Sequence, residues 1–210
     1  MTSVTLEMMK EYLNRFGWRN YKAAQEPLEK EGIIFTGWHS PGHEQCYILT
    51  IDPMVEMGCL SFRVPEILKV PAEDVPAERI ADLCFVIGYL NYRLLIGKFA
   101  YDPSDGEIRF SVDVPIEENT FTYEQFVHCL GAAIHSVEKY APALRRLAEG
   151  EQTPDEFIAW DKEHSARELK RSFAEFLREL LRHLDDDSDS FPGRRGTNRP
   201  RGGNGGELFD

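Results

Sequence analysis

The sequence predicts an α+β domain: a helix, three strands, a helix, two strands and a helix, with an antiparallel sheet packed against the helices and one further helix appended. Three features carry this expectation. Apolar residues recur every three to four positions near both ends of the chain, they alternate with polar residues through the middle, and Gly, Pro and Asp clusters separate the alternating runs.

Leu6, Met9, Leu13 and Phe16 form one face of an amphipathic first helix, with Thr2 or Ser3 available as cap and Gly17 as its stop. Trp18 to Lys30 shows no clear period and is expected to be an irregular connection with some helix. Gly32–Ser40 and Gln45–Asp52 are β-branched and aromatic, and Leu60, Phe62 and Val64 alternate with Ser61 and Arg63 over Cys59–Val64. These three strands read as a meander of hairpins.

Pro65, Pro71 and Pro76 follow, and Pro76 suits the first turn of a helix from about Ala77 to Ile96. Its start has a polar side, but from Leu83 onward it is apolar nearly all round. Leu83, Val86, Ile87, Leu90 and Leu94 cannot all face one sheet, so a second cover is required. A second copy of the chain is the expected cover, making these five residues a dimer seam. The helix after Thr153 is the alternative.

In "GKFAYDPSDGEIRFSVDV" (Gly97–Val114), Phe99 and Tyr101 alternate on one arm, and Ile108, Phe110, Val112 and Val114 on the other. This is a hairpin with one apolar and one polar face. Asp102, Asp105 and Glu107 crowd its tip, but an EF-hand needs a different acid spacing and flanking helices. The stretch is therefore a turn, with Pro103 and Gly106 supplying its geometry.

Thr122 and Gln125 make a capping box for a helix lined by Phe126, Leu130, Ala133, Val137 and Tyr140 or Ala141, ending near Glu149. Pro142 should bend or split it. Thr153-Pro154-Asp155-Glu156 begins the last helix, along which Leu169, Phe173, Phe176, Leu180 and Leu184 recur. The expected organisation is a domain over residues 1–150, a helical extension over 151–184 and a disordered tail over 185–210.

Of the net charge of -12, the tail contributes 4 basic minus 6 acidic residues, leaving -10 on residues 1–184. Such a body repels nucleic acid and anionic membranes and suits a basic or amphipathic protein segment. The N-terminus shows no signal-peptide pattern, and the longest apolar run, Leu83–Tyr92, is half a membrane span. Cys46, Cys59, Cys84 and Cys129 are scattered among apolar residues and read as reduced, buried thiols in a cytoplasmic protein.

Candidate chemistry is sparse. His39, His43 and Cys46, with Cys59 on a neighbouring strand, have ligand types that zinc accepts. The plainer reading is a solvated turn. His128 and His135 share a helix face, with Glu124 one turn before His128, as on many polar helix faces. No phosphate-binding, dinucleotide, serine-hydrolase or metalloprotease motif is present. No catalytic residue, metal or cofactor is expected.

Around the central stretch "GYLNYRLLIGKFAYDPSDGEIRFSVDVPI", Asn91, Gly97, Phe99, Asp102 and Gly106 match a pattern of a helix ending in Asn, then Gly-x-Phe, then an Asp turn with Gly. In this the chain resembles the YbjN family of bacterial sensory-transduction regulators, over roughly Val4–Glu149. That family resembles class I type III secretion chaperones in fold, which are small, acidic, non-enzymatic proteins that dimerise and bind an extended segment of a partner. The resemblance therefore implies a cytoplasmic regulatory or chaperone-like homodimer that binds protein. A small-molecule sensor is the alternative reading, and a metal- or cysteine-dependent enzyme the third.

Overall fold

The computed structural model describes residues 5–24, 32–41, 45–54, 57–116 and 121–168. Its elements are α1 (Leu6–Phe16), β1 (Tyr21–Ala24), β2 (Ile33–His39), β3 (Cys46–Met54), β4 (Cys59–Lys69), α2 (Ala77–Arg93), β5 (Lys98–Tyr101), β6 (Glu107–Pro115), α3 (Tyr123–Glu149) and α4 (Pro154–Glu168). The strands form one antiparallel sheet in the order β1-β2-β3-β4-β6-β5. The α+β expectation holds, with one strand more than the sequence indicated. No helix among the described residues is long and apolar enough to cross a membrane.

The extra strand is β1, in the stretch expected to be irregular. Its four residues carry little strand propensity, and it exists because Tyr21–Ala24 pair with Ile33–Thr36 of β2. β4 also runs past its expected end at Val64. It is a central strand, and Pro65 fits there because the register shifts between Val64 and Leu68, with Glu66 at φ 44°.

Thr5, rather than Thr2 or Ser3, caps α1, and Gly17 ends it in the left-handed region. The capping box of α3 forms as expected, but Pro142 does not split the helix, which is continuous over 27 residues. Buried Tyr140, Ala141, Ala143 and Leu144 on either side of the proline hold the helix in place.

One face of the sheet is dry. Ile34 and Trp38 of β2, Leu49 and Ile51 of β3, Leu60, Phe62 and Val64 of β4, and Ile108, Phe110 and Val112 of β6 all point inward and are buried. α3 lies across β4 and β6, α1 packs on α3, and α2 packs against β5 and α3. α4 closes against α2 and α3.

Candidate protein-binding surface

The five signature residues build one corner of the fold. Near the end of α2 the Asn91 amide donates to the Phe99 carbonyl and its Oδ1 accepts from the Phe99 N–H, both at 2.8 Å. One side chain thus completes the outer edge of β5 as a neighbouring strand would. Gly97 sits at φ 81°, where a Cβ would run into the Phe110 ring. Phe99 is buried edge-on against Phe110 and Tyr140, with centroids 4.9 and 6.0 Å apart.

Asp102 Oδ1 accepts from the Ser104 N–H (2.9 Å) and hydroxyl (2.6 Å), which holds its carboxyl below the usual range. Gly106, at φ 77°, lets the turn press on the Val70–Pro71 backbone, and its carbonyl accepts from Val70 N at 2.8 Å. The acids at the tip are engaged within the chain. Asp105 accepts from Glu107 N and pairs with Lys69 at 3.6 Å, and Glu107 accepts from Glu66 N and pairs with Arg109 at 3.5 Å.

The outer sheet face differs from one side to the other. On β4, β6 and β5, Asp113 accepts from Ser61 (2.7 Å) and Ser111 (3.1 Å) and pairs with Lys98 (3.1 Å). Burial raises the Asp113 carboxyl, but these partners outweigh it and the net shift is downward. On β2 and β3 the same face exposes Phe35 and Ile48. Ile48 lies opposite Gly37, where a Cβ would meet the Tyr47 carbonyl, so no cross-strand side chain covers it.

Beside Ile48, the irregularity in β4 opens a cavity of about 330 Å³ lined by Cys46, Tyr47, Ile48, Pro65, Glu66, Asp105 and Glu107. It combines an apolar floor with three carboxylates. This surface was missed in the sequence because Glu66, Asp105 and Ile48 meet only once β3, the β4 irregularity and the β5–β6 turn are adjacent.

The expected seam lies elsewhere than on the surface. Leu83, Val86, Ile87 and Leu90 are buried within the single chain, and Leu94 is half-buried. The sheet, α3 and α4 cover two sides of α2, so these residues need no second copy. The exposed apolar residues of this region are Phe85 and Tyr92, followed by Leu95 and Ile96. Gly88 lies between Phe85 and Tyr92, and a Cβ there would touch nothing.

At the α2–α3–α4 junction, Asp161 is fully buried and accepts from Tyr89 (3.0 Å), Tyr140 (3.0 Å) and Ser165 (3.1 Å). It also pairs with Arg93 at 3.0 Å and Lys139 at 3.4 Å. Burial pushes its carboxyl up, but the tyrosine, lysine and serine partners outweigh burial and bring it below the usual range. The signal that could have found this residue is an acid four positions after Phe157, on the same face of the helix that Thr153 begins.

The remaining candidates do not converge. Among the described residues no group of three or more His, Cys, Asp and Glu could hold a metal ion. His43 and the apolar series from Leu169 to Leu184 lie outside the described residues, as do the residues 185–210 expected to form the tail. His128 is exposed and His135 half-buried on α3. None of the four cysteines is in a disulfide, but only Cys129 is buried, with its thiol pushed up to about 11 by burial. Cys59 is half-buried, while Cys46 and Cys84 are exposed, which corrects the expectation of four buried thiols. Cys46 points to the outer sheet face, and Cys84 sits beside Phe85 on the open side of α2.

A protein-family model named YbjN, described as "Putative bacterial sensory transduction regulator", matches residues 5–146. Among solved structures, a chain in the crystal structure of the ExsC-ExsE complex is similar, at 16% sequence identity, with 67% of this chain and 97% of that chain covered and a TM-score of 0.45. No curated protein sequence matches.

Proposed function

The chain belongs to the YbjN family, and we propose that it is a non-enzymatic, cytoplasmic regulatory module that holds a basic, partly apolar segment of another protein on the outer face of its sheet. The observation that carries this reading is the cavity beside Ile48. Its apolar floor, from Cys46 through Ile48 to Pro65, is edged by Glu66, Asp105 and Glu107, in a chain of net charge -12. Apolar contact supplies affinity there, and the acidic rim steers a basic segment in, with lysine or arginine of the partner competing with Lys69 for Asp105 and with Arg109 for Glu107.

The test is capture from native lysate with the wild type and with Ile48→Lys, which changes an exposed side chain and should leave the fold intact. The expected result is a set of basic-segment proteins retained by the wild type and lost by the variant, with capture weakened at high salt. Identical sets from both proteins, or a co-purifying small molecule in place of protein, would sink the reading.

Self-association belongs to the same proposal, on a relocated surface: Phe85, Tyr92 and Leu95, 59%, 92% and 101% exposed, are the apolar residues that α2 and its end leave for a second copy. Sedimentation at micromolar concentration should show a dimer that Tyr92→Lys dissociates. A monomeric wild type ends that part of the proposal.

A further inference from the structure

The Asp161 site is built almost entirely by residues outside α4. Two hydroxyls and two cations converge on this carboxylate: Tyr89 and Arg93 come from α2, Lys139 and Tyr140 from α3. Lys139 is only 9% exposed, so its ammonium is committed to this junction. With Asp161 removed, these donors would still point at one place between the two helices. In a chain of net charge -12, the exposed Arg93 and the buried Lys139, which also donates to Ser165 at 3.0 Å, form a local exception to the overall charge.

The rest of the α4 contact is aromatic. Phe157, fully buried, stacks on Tyr140 with centroids 6.4 Å apart, and Trp160 meets Tyr140 edge-on at 6.2 Å. α4 also lies beyond residue 146, where the family match ends, whereas all four donors lie within it. The receiving site thus belongs to the family domain, and its occupant is an appended helix.

We propose that the groove between α2 and α3 is a recognition site for an acidic helical segment, and that α4 is its tethered, exchangeable occupant. The ligand class is a helix presenting a carboxylate four residues after an aromatic ring, as Phe157 and Asp161 do. The hydroxyls of Tyr89 and Tyr140 and the charges of Arg93 and Lys139 take the carboxylate, and the Tyr140 ring takes the aromatic side chain. A partner segment of this chemistry competes with α4 for the site. This surface is separate from the acidic cavity on the outer sheet, and it selects the opposite charge.

Two measurements on the full chain test this. In Asp161→Ala, sodium formate should raise the melting temperature by several degrees more than sodium chloride of equal ionic strength, because formate fills the vacated carboxylate position. Equal shifts in the two salts would overturn the proposal. A labelled peptide of residues 151–168 should bind the Asp161→Ala chain at least about tenfold more tightly than the same peptide carrying Asp161→Ala, a factor equal to ~1.4 kcal/mol. Equal binding of the two peptides, or binding of neither, would also overturn it. If Asp161→Ala does not fold, Asp161→Asn keeps the volume and serves as the receiving chain for both peptides, with the same outcomes deciding.

Discussion

α3 and α4 both pack beside α2, but different forces hold them. α3 presents Phe126, Leu130, Ala133, Ile134, Val137 and Leu144, all fully buried, along most of its length. Its attachment is apolar contact, which is non-directional and indifferent to proton concentration. α4 contributes Phe157, Trp160 and one carboxylate that five side chains satisfy. Its attachment is directional and depends on charge. α3 is thus core along its length, whereas α4 sets Phe157 in the core and relies on charge for the rest of its anchorage.

The largest effect should come from the apolar side. Phe126→Ala removes a ring that lies 5.8 Å from Phe62 and 5.6 Å from Tyr12, and should cost about 4 kcal/mol of global stability. Urea unfolding measures this, and a loss below about 1 kcal/mol would mean that α3 is not the core helix described.

Asp161→Ala comes next. It removes the carboxylate that Tyr89, Tyr140, Arg93 and Lys139 share, leaves Lys139 its contact with Ser165 at 3.0 Å, and should cost about 3 kcal/mol. The loss should be local, with faster hydrogen exchange in α4 while β3, β4 and β6 keep their protection. Loss of protection throughout the sheet would erase the contrast between the two helices.

Acid sharpens the same contrast. Because the folded chain holds the Asp161 carboxyl below its unfolded value of about 3.9, its stabilising effect is complete above that value and disappears as pH falls through the lower folded value. α4 should therefore loosen below about pH 4 in the wild type. In Asp161→Ala this acid step should be missing, and a step of equal size in both proteins would assign it to other carboxylates.

Asn91→Ala should cost less, about 1–2 kcal/mol, since it removes the two hydrogen bonds that close the edge of β5. A melting curve unchanged by this substitution would mean that water replaces the amide at no cost. The smallest effect is expected at the far end: deleting Phe191–Asp210 removes no periodic apolar residue and should shift stability by less than about 0.5 kcal/mol. A melting temperature lowered by several degrees would show that this stretch docks.

Most of the fold was readable because it rests on local rules. The capping box at Thr122, the Gly17 stop, the alternation in β6 and the turn chemistry at Asp102 and Gly106 each specify their own element from neighbouring residues. The signature residues belong here too, since Asn91 lies eight positions from the Phe99 backbone it satisfies. The missed elements depend on distant partners. Tyr21–Ala24 is a strand because β2 lies beside it, and Pro65 is tolerated in β4 because the register slips there.

The sequence by itself determined the α+β class, the family and the acidic character of the chain, all properties of composition and short-range pattern. Tertiary structure decided which apolar residues of α2 are core and which are surface. Leu83 and Phe85 look alike in sequence, yet one is fully buried and the other 59% exposed, since only packing assigns helix faces to neighbours. It also decided that Asp161 is buried. Burying a carboxylate is tolerable only where enough donors converge on it, and the donors outside α4 stand 21 to 72 positions away along the chain.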